Sequence, residues 1–332
     1  MAVLLRRRSL MDFFPVPEFM LLSMTGIVIT DDDTRFVELK RGLFGDGFEL
    51  VHASKAANPK GAVESGLIVS PQNLAPVVKK LSEHYGVRYA RAVLPEERAY
   101  LFTTTIDWVP REGLRDAVAF IIEENAPVSL AESVFDFEVI NSDRGAGEIK
   151  LAVSVVPKEI TKSYEGLLES VNITPISFEL ESQAVARAVI HREDKRPQLI
   201  INLSLKKTGF YVVEDGVAQF STTPVFGIGA DGAYANLADL RAEMRKVITF
   251  WNVRTDKEGR PGKKIEQIVL CGQGTNDPAF VDKLMEGSEV DHQLADVWLN
   301  LSSSRDATPP IPFEESLGYT PAIGLVLPRR NE

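Results

Sequence analysis

The sequence predicts an α/β protein of two lobes, and three observations predict it. The chain has 332 residues, enough for two units of roughly 150 residues, each with a core of its own. Two distant stretches, Gly26–His52 and Leu199–Phe220, share one order of strand, polar turn, return strand, second turn and third strand. Segments whose apolar residues recur at the 3.6-residue helical period follow each meander.

The first lobe is assigned residues 23–88 and 157–195. Its meander is Gly26–Ile29, Phe36–Leu39 and Phe48–His52, turning at Thr30–Thr34 and Arg41–Gly47. Asn73 is placed as the cap of a helix with Leu74, Val77, Val78, Leu81 and Tyr85 on one face. An α+β insert is assigned 89–156. It opens with strands Tyr89–Leu94 and Arg98–Thr105. Pro110 introduces a helix carrying Leu114, Val118, Ile121 and Ile122, which Asn125–Pro127 stops. The hairpin Val134–Ile140 and Ile149–Val155 closes the insert. Two helices return to the first lobe, one with Ile160, Tyr164, Leu167 and Leu168, the other from about Leu180 to His191.

The second lobe is assigned 196–330. Strands Leu199–Leu203, Gly209–Val213 and Val217–Phe220 lead into a glycine loop, Phe226–Gly232. A helix spans about Leu237–Trp251, and a strand, Ile265–Cys271, ends in Gly272–Gly274. A helix starts at Asp277, a Ser/Pro-rich loop covers 302–312, and a last helix, Leu317–Leu327, is interrupted by Pro321.

Composition narrows the function classes. Hydrophobic residues make up 44% and charged residues 25%, ordinary for a globular chain. A net charge of −10 argues against nucleic-acid binding, which needs a basic footprint. Cys271 is the one cysteine, so neither an intrachain disulfide nor a Cys-rich metal site is expected. Histidines 52, 84, 191 and 292 lack ligand spacing. Both facts fit a reducing cytosol. No stretch approaches the ~20 apolar residues of a membrane span. Asp12, Pro15, Pro17 and Glu18 interrupt any apolar run after Arg6–Arg8, which argues against a signal peptide. Residues 1–22 read as a proline-broken arm. It either packs along the body or makes a peripheral contact, with its arginines near acidic lipid or on a partner.

A duplicated meander-plus-helix lobe is how the actin-like, ribonuclease H-like fold is built. The segments Gly26–Lys40, Ala92–Glu96, Ile121–Pro127, Phe178–Arg187, Asn202–Phe210 and Val269–Asn276, in that order and spacing, carry a more specific likeness. Over about residues 13–327 the chain resembles the PilM family of actin-like type IV pilus assembly proteins, related in fold to the division protein FtsA. The resemblance implies that the insert is that family's own subdomain. It also implies an interlobe cleft in which two hairpin turns hold phosphate through backbone N–H groups and a Gly-rich strand end holds adenosine.

The chain departs from that pattern where the chemistry resides. Val28 stands where the family places an aspartate, and the first loop continues as Thr30, Asp31, Asp32 and Asp33. Three adjacent carboxylates repel a triphosphate, and they read as a solvated acidic turn rather than a metal site. Asn202 and Ser204 replace the aspartate and glycine of the second loop. Gly272 and Gly274 keep the adenosine motif. After the loop holding Gly227 and Gly229, only Ala233–Ala238 stands where relatives build a multi-helix wall, so a reduced second-lobe subdomain is expected. These loops read as vestigial. ATP and Mg²⁺ are disfavoured, no cofactor or catalytic residue is assigned, and a degenerate ATPase rather than an enzyme is expected. A remnant nucleotide pocket that only stabilises the fold stays open.

The resemblance implies a cytoplasmic scaffold at the inner face of the cytoplasmic membrane. Its partner would be the N-terminal cytoplasmic peptide of a PilN-like inner-membrane protein, held in a groove between first lobe and insert. Glu123, Glu124 and Pro127 are the groove-rim candidates. Membrane contact would be indirect or through the arm, and self-association is left open. The alternatives are an ATP-binding filament protein of FtsA type and a sugar-kinase-like phosphotransferase. The changes at Val28 and Asn202 count against the kinase. Against the filament stand the shortened second lobe and an end, Leu327–Glu332, with no amphipathic helix.

Overall fold

The computed structural model describes residues 24–41, 48–145, 147–228, 236–255, 259–301 and 311–329. The arm expected over 1–22, Gly229 and most of the Ser/Pro-rich loop lie outside the described residues.

Both meanders form, and each grows into a five-stranded sheet. In the first, β1 (Met24–Ile29), β2 (Asp33–Arg41) and β3 (Phe48–Ala57) run antiparallel. Strands β6 (Tyr89–Leu94) and β10 (Thr174–Leu180) add in parallel, in the order β10-β6-β1-β2-β3. A two-residue hairpin, β4 (Val63–Glu64) and β5 (Leu67–Ile68), stands apart. The second sheet holds β11 (Gln198–Leu203), β12 (Thr208–Glu214), β13 (Val217–Thr222), β14 (Gln267–Cys271) and β15 (Asp291–Leu294), ordered β13-β12-β11-β14-β15. The repeat legible in the meanders thus extends to whole sheets. Strand β11 is buried along its length, as a central strand covered on both faces must be, which is why it reads as an apolar run without alternation.

Four expectations are corrected. Tyr89–Leu94, placed in the insert, is β6, beside β1 in the first-lobe sheet. Helix α1 (Pro71–Tyr85) supplies the crossover that a parallel strand needs. A buried apolar run carries no mark of the sheet it will join. Helix α1 opens at Pro71 rather than at an Asn73 cap, because proline lacks only the N–H that a first turn leaves unpaired. Strand β10 lies in a segment not read as a strand. Its Pro175 sits at a register shift on the sheet edge, where no donor is required. Pro321 does not break one last helix but opens the second of two, α7 (Phe313–Leu317) and α8 (Thr320–Val326).

The insert sheet has the order β7-β9-β8, from β7 (Tyr100–Asp107), β8 (Ser133–Asp143) and β9 (Glu148–Pro157). Helix α2 (Leu114–Asn125) sets Val118 and Ile122 against Leu151 and Val153 to form a separate core. Helices α3 (Lys158–Ser170) and α4 (Glu181–Val189) return to the first lobe. Helices α5 (Leu237–Asn252) and α6 (Pro278–Met285) cover the second.

One core spans both lobes. Val28 and Val37 of the first sheet and Ile200, Tyr211 and Val269 of the second pack on α4 and α8. Small residues, Ala184 and Ala188, let α8 approach α4 closely, and Arg187 Nη1 donates to the Gly324 carbonyl at 2.7 Å. This two-helix layer brings the residues that follow β1, β6, β10, β11 and β14 together at one crevice. In α/β sheets, ligand sites form outside the carboxyl ends of the strands. Among the described residues no helix is long and apolar enough to cross a membrane.

Candidate functional site

The first hairpin turn is closed on itself. Thr30 Oγ1 accepts from the backbone N–H groups of Asp32 at 3.2 Å and Asp33 at 3.0 Å. The Thr30 N–H donates to the Asp33 carbonyl at 2.9 Å. Three of the N–H groups that a phosphate-holding turn would present, those of Thr30, Asp32 and Asp33, are thereby engaged.

The three carboxylates of that turn are not a solvated cluster, which corrects the sequence reading. Asp31 accepts from the backbone N–H groups of Ser65 at 2.9 Å and Gly66 at 3.0 Å. Asp32 pairs with Lys206 of the second hairpin at 2.6 Å. Asp33 takes the Arg35 guanidinium at 2.8 Å, and Arg35 also donates to Gln273 Oε1 at 3.2 Å and to the Gly318 carbonyl. Alternation in β2 and the tight turn send the three side chains three ways, so mutual repulsion is replaced by three separate partners.

The second hairpin delivers a cation into the crevice. Lys207 Nζ lies 2.9 Å and 3.1 Å from the Glu97 carboxylate oxygens and 3.4 Å from Glu181 Oε2. Burial disfavours the charged ammonium. The Glu181 and Glu97 carboxylates more than offset that and hold Lys207 above the ordinary lysine range. Asn202, 4% exposed, donates its amide to Glu181 Oε1 at 2.7 Å and accepts from the Cys271 thiol at 3.7 Å. Glu96 accepts from the Ser182 backbone N–H and hydroxyl, both at 2.9 Å, and so caps the start of α4. Burial pushes its carboxyl up, against the opposing effect of those hydrogen bonds. Lys207, Glu97, Glu181 and Glu96 are among the most buried charged groups of this crevice, as is Arg35. Only the resemblance could have flagged the loop holding Lys207, and no local pattern marks the three glutamates.

The retained glycines are filled by neighbours. Gly272 has φ +89°, and a Cβ there would lie 2.6 Å from Asn202 Oδ1 and against the Leu203 carbonyl. At Gly274 a Cβ would meet Leu203 at 2.7 Å and Ile228 at 3.0 Å. Buried Gly227 lies on the backbone of Ser204 and Leu205, and the Ile228 N–H donates to the Ser204 carbonyl at 3.1 Å. These glycines let the chain segments of the second lobe pack against one another. Val28 is 3% exposed and belongs to the shared core.

A second concavity, of about 560 Å³, lies between insert and first lobe. Five consecutive residues of β8, Val134 to Glu138, line one side, and Phe178, Glu179 and Leu180 of β10 line the other. Both strands are sheet edges. Thr161 of α3 also lines the groove, and its Oγ1 is buried without a hydrogen-bond partner. Glu179 is clamped by Arg187 and by Arg329, which reaches its Oε1 with Nε at 3.1 Å and Nη2 at 2.9 Å. Glu123, Glu124 and Pro127 are exposed at the far end of α2 and line no part of this groove.

No family model matches the sequence, and no curated protein matches it. Solved structures do. The chain superposes on the PilM-PilN type IV pilus biogenesis complex with a TM-score of 0.77 at 16% identity, covering 92% of this chain and 98% of that one. It superposes on the ethanolamine utilization protein EutJ from Carboxydothermus hydrogenoformans with a TM-score of 0.54 at 11% identity, covering 94% and 91%. At these identities the likeness is one of fold: this chain has the two-lobed actin-like fold, similar to that of PilM over nearly its whole length.

Proposed function

We propose that the protein is an actin-like scaffold of a type IV pilus or related assembly platform, in the cytoplasm at the inner face of the membrane. It takes the extended N-terminal peptide of a PilN-like inner-membrane partner in the groove between β8 and β10. The observation that carries this reading is that two open sheet edges line one groove. An edge strand directs every second backbone N–H and C=O away from its neighbour, so an extended segment laid there gains main-chain hydrogen bonds from the edges and pockets for alternate side chains. The fold supports the reading, since the similar structure is a complex named for PilM and PilN.

The crevice residues do not fit a magnesium triphosphate. In the first turn the N–H groups of Asp32 and Asp33 are bound by Thr30 Oγ1, and Lys207 lies on Glu97 and Glu181. Gly272 and Gly274 face protein instead of open space. A resident ammonium takes the place that a metal–phosphate group would need, so the scaffold works without nucleotide.

Fluorescence anisotropy with a labelled peptide from the N-terminal cytoplasmic segment of a PilN protein tests this. Binding that is saturable, lost in Val134→Trp and unchanged by Mg·ATP is expected. Equal binding by Val134→Trp overturns the groove, and tight Mg·ATP binding by titration calorimetry overturns the nucleotide-free reading.

A further inference from the structure

The geometry points to a charge rule for the groove: we infer that Asp136 and Glu138 of β8 select an extended partner segment with a basic side chain flanked by apolar ones. This rests on the reading of the groove as a peptide site and specifies what that peptide must carry.

Side chains two apart on a strand share a face. Val134, Asp136 and Glu138 therefore project together, while Phe135 and Phe137 turn to the insert core. The arginines nearest Glu138 are committed to another carboxylate. Arg187 and Arg329 are both bound to Glu179, while Arg115, held over the neutral Phe135 ring at 4.6 Å, keeps its charge at the other end of the β8 stretch, near Phe135 rather than Glu138. Asp136 accepts only from the adjacent Phe137 N–H at 3.0 Å. Among the described residues, neither Asp136 nor Glu138 has a cation within ion-pair distance.

Glu138 is the informative member. It is half-buried and lines the groove, and among the described residues it has no hydrogen-bond or ion-pair partner. Burying an unpaired carboxylate is unfavourable. Its carboxyl is accordingly held above the usual range by burial, with Glu179 and Asp136 adding to the shift and Arg187 and Arg329 opposing it. Asp136 and Glu138 stand about 6.6 Å apart along the strand, close enough for one guanidinium to bridge both. On either side, Val134, Leu94, Val156, Phe178 and Leu180 offer apolar walls. A short extended segment with one Arg or Lys, flanked at two-residue spacing by Leu or Ile, satisfies every one of these groups.

Two fluorescein-labelled decapeptides of alternating Leu and Ser, identical except for a central Arg or Glu, test the rule on the full chain. The Arg peptide is expected to bind at least about tenfold more tightly, and less tightly as salt rises. In Asp136→Asn with Glu138→Gln, both conservative and checked for folding by circular dichroism, the preference should fall to about threefold or less. Equal binding of the two peptides to the wild-type chain, with both lost in Val134→Trp, overturns the charge rule while the groove stands. No binding of either peptide, nor of the PilN peptide, overturns both.

Discussion

Asn202 of the second lobe donates its side-chain amide to Glu181 Oε1, 2.7 Å away, at the start of a helix that joins the lobes. An amide at this position donates where an aspartate would repel. Asn202→Asp places an acidic residue in this loop and sets two carboxylates in hydrogen-bond contact. We expect a loss of about 3 kcal/mol, the scale of an uncompensated buried charge, as a lower urea midpoint, with no gain of ATP binding by calorimetry.

Lys207 completes the same network. Lys207→Met leaves Glu97 and Glu181 without their cation, and a loss of about 3–5 kcal/mol is expected. Adding Glu97→Gln and Glu181→Gln should recover most of it. A lysine held above its unfolded value stabilises below that value, about 10.4, and its contribution fades as pH rises through the folded value. The deficit of Lys207→Met should therefore stay constant from pH 6 to pH 9 in chemical denaturation.

Glu96 has the opposite consequence. Its carboxyl is raised by burial, so the folded state holds the proton more tightly than the unfolded one. The stability this gives is fully present below the unfolded value, about 4.3, and is lost as pH rises through the folded value. Glu96→Gln removes that loss. Its stability relative to wild type should rise with pH across this window and level off above it, measured as the difference between two denaturation series.

Two glycines with positive φ separate backbone strain from packing. Gly86 ends α1 at φ +67° with nothing within 4 Å of an added Cβ, whereas Gly272 at φ +89° meets the β11 backbone. Gly86→Ala should cost about 1 kcal/mol from conformation alone. Gly272→Ala adds a clash typical of overpacking, about 1–3 kcal/mol more. Thermal melts of both variants read the difference.

The sequence by itself determined the two lobes, their meanders and most helices. Those rest on near-neighbour periodicity: α5 shows Leu240, Met244, Val247 and Trp251 on one buried stripe, and β11 with β12 and β13 follows from the turns between them. The sequence also placed the Val134 strand in the insert, and that strand lines the groove proposed here as the peptide site, whereas Glu123, Glu124 and Pro127 do not line it. Only the tertiary structure decided that Tyr89–Leu94 joins the first sheet, that Asp31, Asp32 and Asp33 each hold a different partner, and that Lys207 fills the crevice. Lys207 and Glu97 are 110 positions apart, and Asp31 reaches Gly66 across 35. Local pattern shows that a residue is charged. Its partner is set by how the chain closes, and at this crevice that closure brings a lysine and two carboxylates together.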